Sequence, residues 1–132
     1  MPFHYQENPK KNYLLITMVG EYAYAELGAF FDWMLSACEK YKLPKVMIDA
    51  RNLNGNPTTL ERFNFAAMLT VKYFAMRMTA KVPPLRFAFV GNHPLVDAKR
   101  IGETVAVNRG MNIKVTTEWR EALDWLGVEE EK

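Results

Sequence analysis

The run Lys45-Val-Met-Ile-Asp-Ala-Arg-Asn-Leu-Asn-Gly-Asn-Pro-Thr-Thr-Leu-Glu61 constrains the fold more than any other part of the chain. Val46–Ala50 is apolar and too short for a helix, which predicts a central strand covered on both faces. A polar loop follows. Thr58-x-x-Glu61 then has the spacing of a capping box, in which the threonine hydroxyl accepts from the Glu61 N–H and the Glu61 carboxylate reaches back to the Thr58 N–H. A covered strand that leads through a short loop into a capped helix fits an α/β sheet. In such sheets the loops at the strands' carboxyl ends carry ligand and partner contacts.

The other segments fit this frame. Phe3–Glu7 alternates weakly and reads as an edge strand, Asn8–Asn12 as a turn, and Tyr13–Val19, closed by Gly20, as a second strand. The turn is too short for a crossover, so these two strands pair antiparallel. Over Ala25–Tyr41, the residues Leu27, Phe30, Phe31, Met34, Leu35 and Cys38 recur at helical steps, with Trp33 and Ala37 beside them, and Leu43-Pro44 stops the helix. A second long helix runs over Thr59–Met78, and Arg86–Val90 is a strand. Gly91-Asn-His-Pro94 leads into a helix from Leu95 or Asp97 to Arg109, ended by Gly110. Asn112–Thr116 is the last strand, and Thr117 caps a final helix that ends at Gly127. The order is ββαβαβαβα: one α/β domain over residues 1–132, with a mixed, mostly parallel five-stranded sheet, right-handed crossovers and four helices. Residues 129–132 read as a solvated acidic tail.

Charge excludes several functions. With 17 basic and 15 acidic side chains, the basic ones dispersed, nothing drives binding to nucleic acid. No apolar stretch approaches the roughly 20 residues of a membrane span. The N-terminus has no basic region followed by an apolar run, so no secretory signal is read and a cytoplasmic location is the default. The single cysteine, Cys38, allows no internal disulfide and sits on an apolar stripe as a small hydrophobe.

The Thr59–Met78 helix is apolar nearly all round. Leu60, Phe63, Ala67, Met68, Val71, Phe74, Ala75 and Met78 form one wide stripe, expected to face the sheet. Phe65, Ala66, Leu69, Tyr73 and Met76 lie opposite, so that Phe65, Leu69, Tyr73 and Met76 are expected to form an apolar interface or pocket. Three covers fit such a face: another part of the chain, an identical subunit, or a small apolar or lipid-like molecule held against Phe30, Phe31, Trp33 and Phe87.

Candidate polar sites each have a structural alternative. Thr58 and Thr59 stand where a helix N-terminus favours an anion, but Thr58 also caps the helix. Asp49, Arg51 and Asn52 frame a polar corner, or Asp49 fastens the loop through backbone N–H groups. Asn92 and His93 follow a strand's carboxyl end, a good place for function, yet the only other histidine is His4 and no metal-ligand spacing occurs. Arg109 either complements its helix dipole or reaches a partner's carboxylate or phosphate. No nucleotide fingerprint and no acid/base or nucleophile constellation is present, so no catalytic residue, metal or cofactor is expected.

Several motifs together resemble a known family. They are Val46-Met-Ile-Asp49 with Arg51-Asn52, Glu61-Arg62-Phe63, Gly102-Glu-Thr-x-Ala106, Asn108-Arg109-Gly110 and Ala122-Leu-x-Trp-Leu126. The pattern, which covers nearly the whole chain, is similar to the SpoIIAA-like group of STAS domains, nearest its STAS/SEC14-like branch. The resemblance implies a STAS/SpoIIAA-like fold, often a homodimer, and a regulatory module that acts on a protein partner. In relatives with a phosphorylation switch, a serine of Asp-Ser-Ser-Gly opens the second long helix. This chain has a longer loop with no serine, and Thr58 and Thr59 take the nearest place. The expectation is a non-enzymatic, homodimeric interaction module, with a binder of a small apolar or lipid-like ligand as the alternative.

Overall fold

The computed structural model describes residues 3–80 and 82–131. Lys132, the end of the expected tail, lies outside them. Strands β1 (Phe3–Pro9) and β2 (Leu14–Glu21) are followed by a 3-10 turn and helix α1 (Leu27–Tyr41). Then come β3 (Lys45–Asn54), α2 (Thr59–Ala80), β4 (Arg86–Gly91), α3 (Ile101–Asn108), β5 (Asn112–Thr116) and α4 (Trp119–Leu126). The sheet order is β1-β2-β3-β4-β5, with β1 antiparallel to β2 and every other pair parallel. This is the five-stranded mixed sheet with four helices expected from the sequence.

The strands' two-residue period divides the core into two layers. Leu14, Ile16, Met18, Val46, Ile48 and Phe87 face α1, α2 and α3 in the larger layer. Met47, Ala88 and Val90 face the other way, onto Ala122, Leu123 and Leu126 of α4. Lys42, in the left-handed conformation, ends α1 and returns its N–H to the Cys38 carbonyl at 2.9 Å. Gly110 and Gly127 take positive φ after α3 and α4, as expected.

Five expectations are corrected, four of them at the ends of elements or of the chain. First, β3 does not stop at Ala50 but runs to Asn54, because β2 continues beside it: Val19, Gly20 and Glu21 pair with Asn52, Leu53 and Asn54. Arg51, Asn52 and Asn54 are therefore strand residues. Second, α3 starts at Ile101 rather than Leu95 or Asp97. The Pro94 and Leu95 carbonyls bond instead to Arg62, and the Asp97 carboxylate accepts the Ile101 N–H. Third, Thr117 does not cap α4; Glu118 holds the N-cap position without a side-chain bond, and the Thr116 hydroxyl accepts the Glu118 N–H at 3.1 Å. Fourth, the tail is fastened as far as Glu131, whose carboxylate accepts the Lys11 and Asn12 N–H groups at 2.8 and 3.2 Å.

The largest correction concerns α2. Ala66, Leu69, Thr70 and Tyr73 face the core, whereas Leu60, Phe63, Val71 and Met78 are 67%, 45%, 66% and 85% exposed. Most of the stripe expected to face the sheet faces outward; of its members, Met68 and Phe74 are half-buried and pack against the core. Leu69 and Tyr73, expected at an interface or pocket, are core residues, and Phe65 packs edge-on against Phe31 with centroids 5.1 Å apart. The polar atoms of the inner face find partners. The Tyr73 hydroxyl accepts the buried Leu85 N–H at 2.8 Å, and the Thr70 hydroxyl donates to the Ala67 carbonyl at 2.9 Å.

Candidate functional site

Because β2 to β5 are parallel, their carboxyl ends share one edge of the sheet. The β3–α2 link, the β4–α3 link and the start of α4 meet there. On the α4 side, Asp49 and Arg51 close on each other: Nε and Nη2 of Arg51 donate to the two carboxylate oxygens at 2.9 and 3.0 Å. The Arg51 N–H also reaches Asp49 Oδ1 at 3.2 Å. This bonding raises the Arg51 pKa above its ordinary value, against the opposing effect of desolvation. The guanidinium lies 4.1 Å from the centre of the Trp119 ring, and the Asn92 amide donates to the Arg51 carbonyl at 2.9 Å. The geometry has a local cause in a β-bulge, where Ala50 and Arg51 of β3 stand opposite Met18 alone. A bulge re-aims a side chain at a sheet rim.

On the α1–α3 side, the capping box forms as expected. Glu61 N–H donates to Thr58 Oγ1 and Thr58 N–H to Glu61 Oε1, both at 3.1 Å. The Tyr22 hydroxyl donates to the same carboxylate oxygen at 3.2 Å; burial first, then the Glu61 charge, push the Tyr22 pKa well above its ordinary value. Gly55 lets the β3–α2 link pass over Tyr22, since any Cβ there would collide with the Tyr22 Cβ. One turn into α2, Arg62 clamps the neighbouring loop. Its guanidinium donates to the Leu95, Pro94 and Asn56 oxygens at 2.6, 2.8 and 3.3 Å and lies 3.6 Å from Asp97.

Beneath this clamp is a cavity of about 70 Å³ between the sheet and the helices. Its lining is mainly apolar, including Phe30, Phe31, Ile48, Phe65, Leu69 and Phe89. Glu61, Arg62, Asp97, Arg100 and Glu103 supply its charged margin. Of the expected pocket residues, Phe30, Phe31, Phe65 and Leu69 line it; Tyr73, Met76, Trp33 and Phe87 do not. Met76 instead lines an open groove between α1 and α2.

The structure thus brings Asp49, Arg51 and Asn92 into one cluster and places Thr58 in a separate cap. Thr59, Asn52 and His93 are exposed nearby. Arg109, at the end of α3, is not gathered here; its guanidinium sits 5.9 Å from the centre of the Phe63 ring. Sequence reasoning missed Trp119, Tyr22 and Arg62 as parts of the rim. The helical spacing of Arg62 from Ala66, Leu69 and Tyr73 puts it on their side of α2, a signal legible only once that side is known to be the inner one. Cys38 is buried, and burial pushes its thiol up to about 12. Among the described residues, no group of three His, Cys, Asp or Glu is placed to hold a metal, and no helix is long and apolar enough to cross a membrane.

Comparison with solved structures agrees with this architecture. An anti-sigma factor antagonist from Mycobacterium paratuberculosis matches with a TM-score of 0.58 at 12% identity, over 95% of this chain and 94% of that one. An uncharacterized protein with a SpoIIAA-like fold from Shewanella loihica matches with a TM-score of 0.50 at 16% identity, over 94% and 93%. No family model and no curated protein matches the chain. The chain has the α/β fold of a STAS/SpoIIAA-like domain, and both likenesses lie at the level of that fold.

Proposed function

We propose that this chain is a non-enzymatic regulatory module that acts by protein–protein contact, as a homodimer, with the rim from Asp49 to Thr59 and Asn92 and His93 as its partner surface. The observation that carries the reading is how the rim's charges are used. Asp49 is matched to Arg51, Glu61 closes the cap, and Arg62 is committed to the β4–α3 link and Asp97. Such pairing makes a fixed, shaped surface and leaves no acid beside a base ready for proton transfer. The likeness to an anti-sigma factor antagonist supports the same reading. Thr59 is the better placed of the two threonines for modification, because Thr58 already serves the cap. The test is affinity capture with the intact protein and with Arg51→Glu. A partner held by the first and lost by the second supports the proposal. Turnover of a defined substrate that disappears with Asp49→Ala and His93→Ala would overturn it.

A second reading, a carrier of a small apolar ligand, is favoured by the cavity under Arg62. Native mass spectrometry followed by denaturation of the same sample separates the two. Extra mass that leaves on denaturation supports the carrier, and a bare protein opposes it.

A further inference from the structure

We propose that two copies of this chain pair through the outward face of α2, antiparallel, about a two-fold axis at the level of Leu69. This deepens the homodimer just proposed and rests on it. The helix has 22 residues. At about 100° per residue, Leu60, Ala67, Val71 and Met78 fall within about 20° of one outward line. Phe63 and Phe74 share one flank of that line, and Asn64 and Ala75 the other. Leu60, Val71, Ala75 and Met78 are exposed, and Ala67 and Phe74 are half-buried.

Reversing this face about Leu69 returns nearly the same face. Leu60 exchanges with Met78 and Ala67 with Val71; with a shift of one residue, Phe63 exchanges with Phe74 and Asn64 with Ala75. A two-fold axis perpendicular to the helix, lying in the contact plane, brings each flank against the same flank of the second copy. The exchanged residues are therefore the ones that meet. At the centre, the small Ala67 lies opposite Val71, so the two helices can approach closely. Further out, ring meets ring, and at each end leucine meets methionine. A two-fold contact needs a surface that is its own complement; Leu60 with Met78, Ala67 with Val71 and Phe63 with Phe74 are apolar against apolar, and Asn64 with Ala75 is the one pair that joins a polar to an apolar residue.

Charge does not oppose the contact. The stripe carries no ionised side chain; of the charges beside it, Lys72 pairs with Asp32 at 2.7 Å, Glu61 closes the cap, Arg77 donates to the Val82 carbonyl at 3.4 Å, and Arg109 lies 5.9 Å from the centre of the Phe63 ring, a cation–π contact that a second ring can share. No described segment of the same chain covers Leu60, Val71 or Met78. A helix of this length spans about 33 Å, and a contact band about 15–20 Å wide gives roughly 1,000–1,300 Å² over both copies. That is enough for a specific interface at the smaller end of the stable range. The antiparallel arrangement also sets the two partner rims at opposite ends of the dimer, because each rim adjoins the N-terminus of its own α2.

The test joins sedimentation of the intact protein with directed cross-linking. The chain should sediment at twice its 15.3 kDa mass. Val71→Glu, at an exposed position, should keep the far-UV spectrum and weaken the dimer by about 100-fold or more, since it buries a carboxylate against an apolar face. Oxidising a mixture of Ala67→Cys and Val71→Cys proteins should join one variant to the other in preference to either with itself, and buried Cys38 should stay unreacted. A wild-type chain that stays monomeric at about 100 µM, a concentration that populates even a weak dimer, would overturn the dimer itself. A dimer indifferent to Val71→Glu would overturn only this surface. Preferential Ala67-to-Ala67 joining would overturn the antiparallel register.

Discussion

On the inner side of α2, Ala66, Leu69, Thr70 and Tyr73 are buried against the sheet. On the outer side, Leu60, Val71 and Met78 are exposed although they are no less apolar. Hydrophobicity alone therefore does not select the face that packs. The inner side is distinguished by polar atoms that find defined partners: Tyr73 takes the Leu85 N–H, Thr70 returns to the helix, and Arg62 gathers the carbonyls of the β4–α3 link. Buried polar groups are tolerated only when they are bonded, so the bonds that Tyr73 and Arg62 make outside the helix orient it in a way its hydrocarbon cannot, while the Thr70 bond lets a hydroxyl be buried on this side. The outer side carries hydrocarbon with no such partner, which suits contact with another molecule.

The strongest way to break this comparison is to truncate one residue on each side. Leu69→Ala should cost about 2–5 kcal/mol of unfolding free energy in urea, because it removes buried methyl groups and enlarges the cavity that Leu69 already lines. Val71→Ala should change the stability of the monomer by no more than about 0.5 kcal/mol, as for surface positions generally. Equal costs would mean that the two faces are not distinct. Tyr73→Phe tests the polar part of the argument. It keeps the ring and leaves the Leu85 N–H buried without an acceptor, for an expected loss of about 1–3 kcal/mol. A loss near zero would show that the bond does not orient the helix.

The buried thiol sharpens the picture of the inner layer through pH. Cys38 titrates near 9 in an unfolded chain and is pushed up to about 12 when folded, so the folded state holds the proton more tightly. Its contribution is fully present below pH 9 and is lost as pH rises toward 12, with a slope of at most about 1.4 kcal/mol per pH unit. Cys38→Ala should flatten that part of the pH–stability curve. The smallest effect concerns the rim. Thr58→Ala should cost about 1 kcal/mol, the usual worth of an N-cap, whereas Thr59→Ala should leave stability nearly unchanged. Equal losses at the two positions would mean that the cap is shared.

Much of this architecture is legible in the amino-acid sequence. Asn112–Thr116 is bounded to the residue, because flanking turns and a dense strand composition agree there. The capping box at Thr58 and Glu61 follows from spacing alone, since a local motif needs no tertiary partner. The misreadings share one physical cause, contacts distant in sequence. The polar run Arg51–Asn54 stays in β3 because β2 lies beside it. Residues 95–100 stay out of the helix where Arg62, far away in the chain, holds the Pro94 and Leu95 carbonyls and lies 3.6 Å from the Asp97 carboxylate. The inner face of α2 is misread because the wider stripe of apolar residues is the outward one. At the rim, Asp49, Arg51 and Asn92 are legible as polar residues near strand ends, but the Trp119 face that Arg51 stacks on comes from the last helix.

The most direct test is hydroxyl-radical footprinting of α2 across a dilution series of the intact protein. The inner residues Leu69 and Tyr73 should stay protected at every concentration, while Leu60, Val71 and Met78 should be modified in dilute solution and become protected together as concentration rises. Strong modification of Leu69 and Tyr73, with Leu60 and Val71 protected at all dilutions, would contradict the assignment of the two faces on which the proposed interface depends.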